Sequence, residues 1–431
     1  MISVLIGSLL LLAPADVPAD RAEFAAQVER LVRQLDSTLL GQRDAAERQL
    51  LELGAGVLPV LPAIDQRTSA EVATRLARVQ QKLLRAQALA AAEPTLVTLK
   101  GDDLPLSEVL ATIAKQTGNP IVDHRPAFGE EQRESRVNVA FNKTPFWRAI
   151  DSVLDQSDLT LYGFSGQRGA FFVGRPPGAS PRAAQAYYAG MFRFEPLKFV
   201  AVRDLRNPSM ESLKFFMEVS WEPRLQPFAI LQPLAEVRAT SSGGEPIAVA
   251  GAEAEPEALV REGISTVELE IPLTLPKRGV KTISRLGGKI LVLMPGPFED
   301  FRFSELPLAA RNVRASRVEQ RKAGALVIVD HVRKNNEAWE VALRVKFEGP
   351  SAALESHRSW ILENQAFFEQ ADGSRIEPAG MEQTLQNKEE MGVNYFFDLK
   401  DGPKNLTFVY RTPIMVLELP VAYEFRDLPL P

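Results

Sequence analysis

Three hydrophobic patterns follow one another along the chain. Over residues 20–93 the apolar positions recur at helical spacing: Phe24, Val28, Leu31, Val32 and Leu35 fall on one face of "RAEFAAQVERLVRQL". A second helix is predicted in "RDAAERQLLELG", then a break at Gly54-Ala55-Gly56, then a third helix with Pro59 and Pro62 near its start. A fourth run aligns Val72, Leu76, Val79 and Leu83, with Ser69 placed as its N-cap. Over residues 94–175 the period alternates between two and 3.6. "TLVTLK", "PIVD", "RVNVAF", "LTLYGF" and "GAFFVG" read as strands around two amphipathic helices, in the order βαββαββ. The Gly/Pro/Ala-rich stretch 176–186 reads as a linker, and nearly everything beyond it is strand-patterned.

Two echoes organise these elements. "LPLSEVLATIAKQTGNPIV" (residues 104–122) aligns without a gap on "TPFWRAIDSVLDQSDLTL", forty residues later: Pro105 on Pro145, Leu110 on Ile150, Ile113 on Val153, Thr117 on Ser157. The matched positions are core residues and turn formers, which predicts two like halves packing their helices on one sheet face. Farther on, "FRFSELPL" (residues 301–308) resembles "YEFRDLPL" (residues 423–430), each after an apolar strand. Two related β-sandwiches are therefore expected, at 187–310 and 311–431. The Gly/Ala/Glu-rich stretch 241–263 has few aromatics and is expected to be a flexible loop inside the first. The expected fold class is thus multidomain α+β: a helical segment, a small βαββαββ domain and two all-β sandwich-like domains.

Residues 95–175 resemble the short N-terminal domains of secretins and TonB-dependent receptors. The resemblance rests on "LPLSEVLATIAKQTGNPIV" followed by a strand and "TPFWRAIDSVLDQSDLTL". The chain departs from that pattern in the long charged loop "DHRPAFGEEQRES", and neither a secretin pore sequence nor an outer-membrane barrel pattern follows. In those families the domain is a docking element without catalytic residues, so the resemblance implies docking to an envelope protein partner. Residues 20–92, with helix, glycine turn and helix opening on "LPVL", weakly resemble a HEAT-type repeat.

Composition narrows the setting. Of 431 residues, 45% are hydrophobic and 24% charged, enough apolar side chain for several cores. A net charge of −5 disfavours a dedicated nucleic-acid binder. The chain opens on an apolar run, residues 2–12, followed by Ala13-Pro14-Ala15; residues 1–19 are read as a signal peptide, and the protein as exported, periplasmic or extracellular. No later segment has the length and apolarity of a transmembrane span. The absence of cysteine excludes disulfides, thiol chemistry and cysteine-ligated metals.

Reactive constellations are sparse. There are three histidines, His124, His331 and His357. Asp123-His124 and Asp330-His331 are adjacent pairs, and strand neighbours point to opposite faces, which argues against a dyad at either. No catalytic residue, metal site or cofactor is expected. The turn "EQADGSRIE" lacks the alternating ligands of a calcium loop and reads as a hairpin. The candidate binding residues are Trp221 with Arg224, and Trp360 with Arg358, because tryptophan and arginine dominate binding hot spots. They compete with a reading as core tryptophans. The run Lys277, Arg278, Lys281, Arg285 and Lys289 could meet an anionic envelope polymer, and an exposed tryptophan a glycan. The first expectation is a non-catalytic envelope scaffold docking through residues 94–175. The rival is an exported carbohydrate-active or metal-assisted hydrolase with its site between the β domains.

Overall fold

The computed structural model describes residues 19–62, 64, 67–163, 165–181, 185–207, 211–261, 263–308, 317–347, 360–387 and 389–431. The proposed leader, apart from Ala19, and Arg358 and His357 lie outside them. The fold is mixed α+β, a short helical segment followed by many sheets. Two compact units divide at residues 87 and 88.

The first unit contains α1 (Ala19–Gln34), α2 (Leu40–Glu52) and most of α3 (Ala70–Ala91). Val28, Leu31, Leu35, Leu50, Leu76 and Val79 form its core, the stripe that the helical spacing picks out. Buried Arg75 ties α3 to α2 through Asp44 at 2.9 Å and Glu47 at 2.8 Å. Ser69 caps α3, its Oγ accepting the Val72 N–H at 3.4 Å. The expected third helix is corrected: Ala55–Val60 is a short 3₁₀ helix of six residues, because Pro59 removes a donor where an α-helix needs one.

The second unit opens with β1 (Leu96–Pro105), α4 (Leu106–Thr117), β2 (Ile121–Asp123), β3 (Arg136–Pro145), α5 (Phe146–Gln156), β4 (Leu159–Tyr162) and β5 (Ala170–Gly174). The order is the expected one, but the strands form two sheets, not one: β1–β3, and β2–β5–β4. Val109, Ile113, Ile150, Val153 and Phe172 fill one core with residues of both. The forty-residue echo reappears in detail. Asp103 and Lys143 both take positive φ before the helices, and Gly118 and Asp158 after them. The Gln116 amide accepts the Thr98 N–H at 2.9 Å and donates to the Thr98 carbonyl at 3.0 Å. Gln156 does the same to Asn138, at 3.0 and 3.1 Å. Each glutamine thus stands in for a neighbouring strand and blunts one edge of the β1–β3 sheet. Because the halves share one core, Ile113→Ala and Ile150→Ala should each cost about 2–5 kcal/mol in urea denaturation. Loss in one but not the other would mean that the two halves do not share that core.

Downstream run β6 (Tyr187–Ala189), β7 (Phe192–Val202), β8 (Ser212–Trp221), β9 (Ala229–Leu231), β10 (Arg238–Ser241), β11 (Pro246–Ile247), β12 (Glu257–Leu259), β13 (Thr266–Leu273) and β14 (Thr282–Pro295). They are followed by β15 (Phe298–Phe303), β16 (Val318–Lys322), β17 (Ala325–Asn335), β18 (Ala338–Phe347), β19 (Gln365–Glu369), β20 (Arg375–Ile376), β21 (Gly380–Gln386) and β22 (Glu390–Phe397). The last two are β23 (Thr407–Pro413) and β24 (Val416–Pro429). One layered pair faces β13–β8–β7–β6 against a sheet centred on β14 and β24, with Phe194 stacked on Tyr423 at 5.2 Å. The other faces β15–β23–β19–β20 against β16–β17–β18–β22–β21, with Phe368 edge-on to Phe397 at 4.7 Å.

The division at 310/311 is not a division between sheets. β15 pairs with β23, and β24 pairs along the full length of β14. The two similar segments 301–308 and 423–430 have therefore changed places: each strand completes the sandwich of the other half. The register never shifts between them: Thr282 faces Pro429, Pro295 faces Val416, Phe298 faces Pro413 and Phe303 faces Phe408. At the crossing the Gly296 N–H donates to Met415 O, and the Ile414 N–H to Pro297 O, both at 2.9 Å. A Cβ on Gly296 would come within 2.3 Å of Met415 Cγ, so any side chain there would force Met415 to move. The stretch 241–263 is also corrected: β11 pairs with β10 and β12 with β9, and Ile247 is buried. Its scattered aliphatic residues suffice to hold it on the sheet despite the lack of aromatics.

Candidate interaction surfaces

The residues chosen from sequence do not form one exposed site. Trp221 ends β8 with 0% exposure. Trp360, 7% exposed, stacks on Phe228 at 4.0 Å and tilts against Phe347 at 5.5 Å. Neither offers the free ring face a sugar needs, so the glycan reading loses its motivation. Arg224 and Trp360 do share a groove of about 790 Å³ between the two sandwiches, with Arg168, Phe228, Phe298 and Glu363. Glu363 is the one carboxylate among its described lining residues, where paired-carboxylate hydrolysis needs two. The basic run is split: Lys289 pairs with Glu236 and Arg285 with Glu424, while Lys277, Arg278 and Lys281 stay exposed.

Arg224 belongs instead to a polar joint between the βαββαββ domain and the first sandwich. Its Nε donates to Glu222 at 2.7 Å, and its Nη atoms to the Ala91 and Glu93 carbonyls, each at 2.6 Å. Glu222, 0% exposed, also accepts the Thr95 N–H and hydroxyl at 2.8 Å and the Asn119 amide at 3.1 Å. Both carboxylate oxygens are thereby engaged, one donor on Oε1 and three on Oε2, which makes a buried carboxylate tolerable. A second cluster lies on α5. Asp151 accepts from Arg193 Nε at 2.7 Å and from the Tyr188 hydroxyl at 2.5 Å, and Arg193 Nη1 reaches Glu195 at 2.6 Å. Burial works to lower the Arg193 pKa, but Asp151 and Glu195 outweigh it and hold the guanidinium charged. Burial, then Asp151, push the Tyr188 phenol well above its usual range. Trp147 Nε1 donates to Met191 O at 3.0 Å. None of these hubs was legible, since their members lie from tens to more than a hundred residues apart.

The same domain also carries an aromatic patch, whose Tyr162 and Phe171 line a crevice with Glu218, Ser220 and Thr266 of the first sandwich. His124 stacks on Tyr162 at 5.5 Å, and Phe128 meets Tyr162 edge-on at 5.2 Å and His124 at 5.7 Å. Phe128 is 53% exposed, with Val122 also exposed and Phe171 buried beneath His124. The long charged loop 123–135 positions it. Arg125 grips Asp123 through Nε at 3.0 Å and Nη2 at 2.7 Å. Burial alone would raise the Asp123 pKa, but the Arg125 hydrogen bonds take it below the usual range. Glu130 accepts the Gly174 N–H at 2.8 Å, and Gly129, at φ 71°, ends the 3₁₀ turn that carries Phe128. The Pro126 and Gly129 punctuation was the available signal, hidden by the charges around it.

His331 sits in a network of ion pairs and hydrogen bonds on β17 and β18. A bulge between Val329 and His331 breaks the period-two rule, so Asp330 and His331 both reach outward side chains of β18. Asp330 binds Arg344 at 2.5 Å, and His331 Nε2 lies 3.2 Å from Glu340. Glu340 also takes Arg333, Asn335 and Asn394. Burial raises its pKa, but donors led by Arg333 and His331 outweigh this and lower it. Its stabilising effect is then full above the ordinary glutamate range and lost as pH falls through the depressed value. Glu340→Gln should unfold at a lower temperature than the parent near pH 7, and the gap should narrow as pH falls below the ordinary glutamate range. A constant gap would contradict the ionised carboxylate. Among the described residues no group of three His, Asp or Glu could hold a metal ion, and no helix is long and apolar enough to cross a membrane. The chain matches no protein-family model, no curated protein and no solved structure.

Proposed function

We propose that this is an exported cell-envelope scaffold that docks a protein partner through residues 94–175, with the His124–Phe128–Tyr162 patch as the docking face. The observation carrying the reading is Phe128: a half-exposed ring held by two aromatic neighbours on a loop anchored at both ends. A rigid exposed aromatic is the kind of anchor that fills a partner's pocket at low entropic cost. The polar joint supports the same reading, because it fixes this domain on the first sandwich, while Phe128 and Val122 of the patch stay exposed. The groove between the sandwiches carries less, since Arg224 there is already committed to Glu222 and two carbonyls.

The test is cross-linking in native envelope with the full-length chain and its Phe128→Asp variant. A defined protein captured by the parent and lost in the variant supports docking by this face. Equal capture by both would assign the contact elsewhere.

A further inference from the structure

The first sandwich is not closed along one seam. β6 covers β7 only at Phe192–Phe194; beyond that, among the described residues, the β7 edge away from β8 pairs with no strand. β24 pairs with β14 on one side, and its other edge is likewise unpaired among the described residues. Both open edges border one groove of about 950 Å³, with Leu197 and Phe199 on one wall, Leu428 on the other, and Phe215 and Phe425 at its base. That volume is within the range of sites that enclose a ligand. Leu197 and Val200 are each 38% exposed and Val202 46% exposed along the same open edge, an unusual run for a solvated strand.

Charge distinguishes one end of this seam. Leu430, in the groove wall, donates its N–H to Lys281 O at 2.9 Å, and Arg203, just past β7, donates to Pro276 O at 3.3 Å. The hairpin carrying Lys277, Arg278 and Lys281 therefore stands where the seam ends. All three are exposed and make no ion pair among the described residues.

We propose that this groove accepts an extended segment of a partner protein, alternating apolar and acidic side chains, which adds as a strand to β7. Backbone hydrogen bonds to the open edge would supply affinity, alternate side chains would enter the apolar floor, and acidic residues would meet the three cations. The β6–β7 pairing is antiparallel, so the added strand would run antiparallel to β7, in line with β6. This surface is separate from the Phe128 patch, and the proposal does not depend on it.

The probe is a synthetic peptide alternating valine with glutamate, with a valine–lysine peptide as control, added to the full chain. Fluorescence anisotropy reads affinity, and hydrogen exchange reads which amides become protected. Expected are protection across residues 197–202, no binding of the lysine peptide, and at least tenfold weaker binding by the Lys277→Glu, Arg278→Glu, Lys281→Glu triple variant at unchanged melting temperature. Phe128→Asp should bind the peptide like the parent. The proposal is overturned if the glutamate peptide does not bind, as when the chain's own residues already fill the seam. It is equally overturned if protection falls elsewhere, if the control binds as well, or if charge reversal leaves affinity unchanged.

Discussion

Asp151→Ala should lower the unfolding free energy by about 3–5 kcal/mol, the cost of leaving a buried charge without its partner. Arg193 is 0% exposed and Asp151 3% exposed, so water cannot replace what the substitution removes. The guanidinium would keep Glu195, but its Nε would join Nη2, which has no hydrogen-bond partner even in the intact protein. Tyr188 would lose its acceptor as well. Urea denaturation of the two proteins at neutral pH measures the difference. A loss below about 1 kcal/mol would be the value of a solvated surface pair, and would mean that the Asp151–Arg193 cluster is wet rather than buried.

The second large effect concerns the last strand. A chain ending after Met415 should fail to form its first sandwich, although the deletion lies more than a hundred residues from the end of β14. Without β24, β14 loses its full-length partner, and the first core loses Val421, Tyr423 and Phe425, all buried. Tyr423 and Phe425 are the rings that meet Phe194 and Phe215 across the two layers. Limited proteolysis should cut within residues 187–295 of the truncated protein and spare them in the intact one. Persistent protection would mean that residues 187–310 fold by themselves.

That contrast marks what the sequence could and could not convey. The forty-residue echo was readable because its matched positions are contiguous and each half is closed by its own turn formers. Gln116 and Gln156 align as well as Thr117 and Ser157 do, but their bonds to Thr98 and Asn138 arise only when the strands are placed beside the helices. The similarity of 301–308 to 423–430 was readable too, but not which sandwich each strand enters. Strand patterning is satisfied by any apolar-faced partner, and nothing local distinguishes Phe408 from a nearer strand as the neighbour of Phe303. The polar joint was invisible for the same reason: Glu222 acquires its role from Thr95 and Asn119, which lie far upstream. The tryptophans were visible only as a residue type, and burial decided against their use.

The unbroken ladder from Thr282 to Phe303 has a mechanical consequence. Both of its strands pass covalently from one sandwich to the other, in opposite directions. Tension between the two halves is therefore borne by two polypeptide backbones in parallel, while the cross-strand hydrogen bonds keep them from sliding. A ribbon of this kind is stiff within its own plane and compliant only perpendicular to it, about Gly296 and Met415. The β-rich half can nod like a leaf spring, but it cannot be drawn apart like beads on a string.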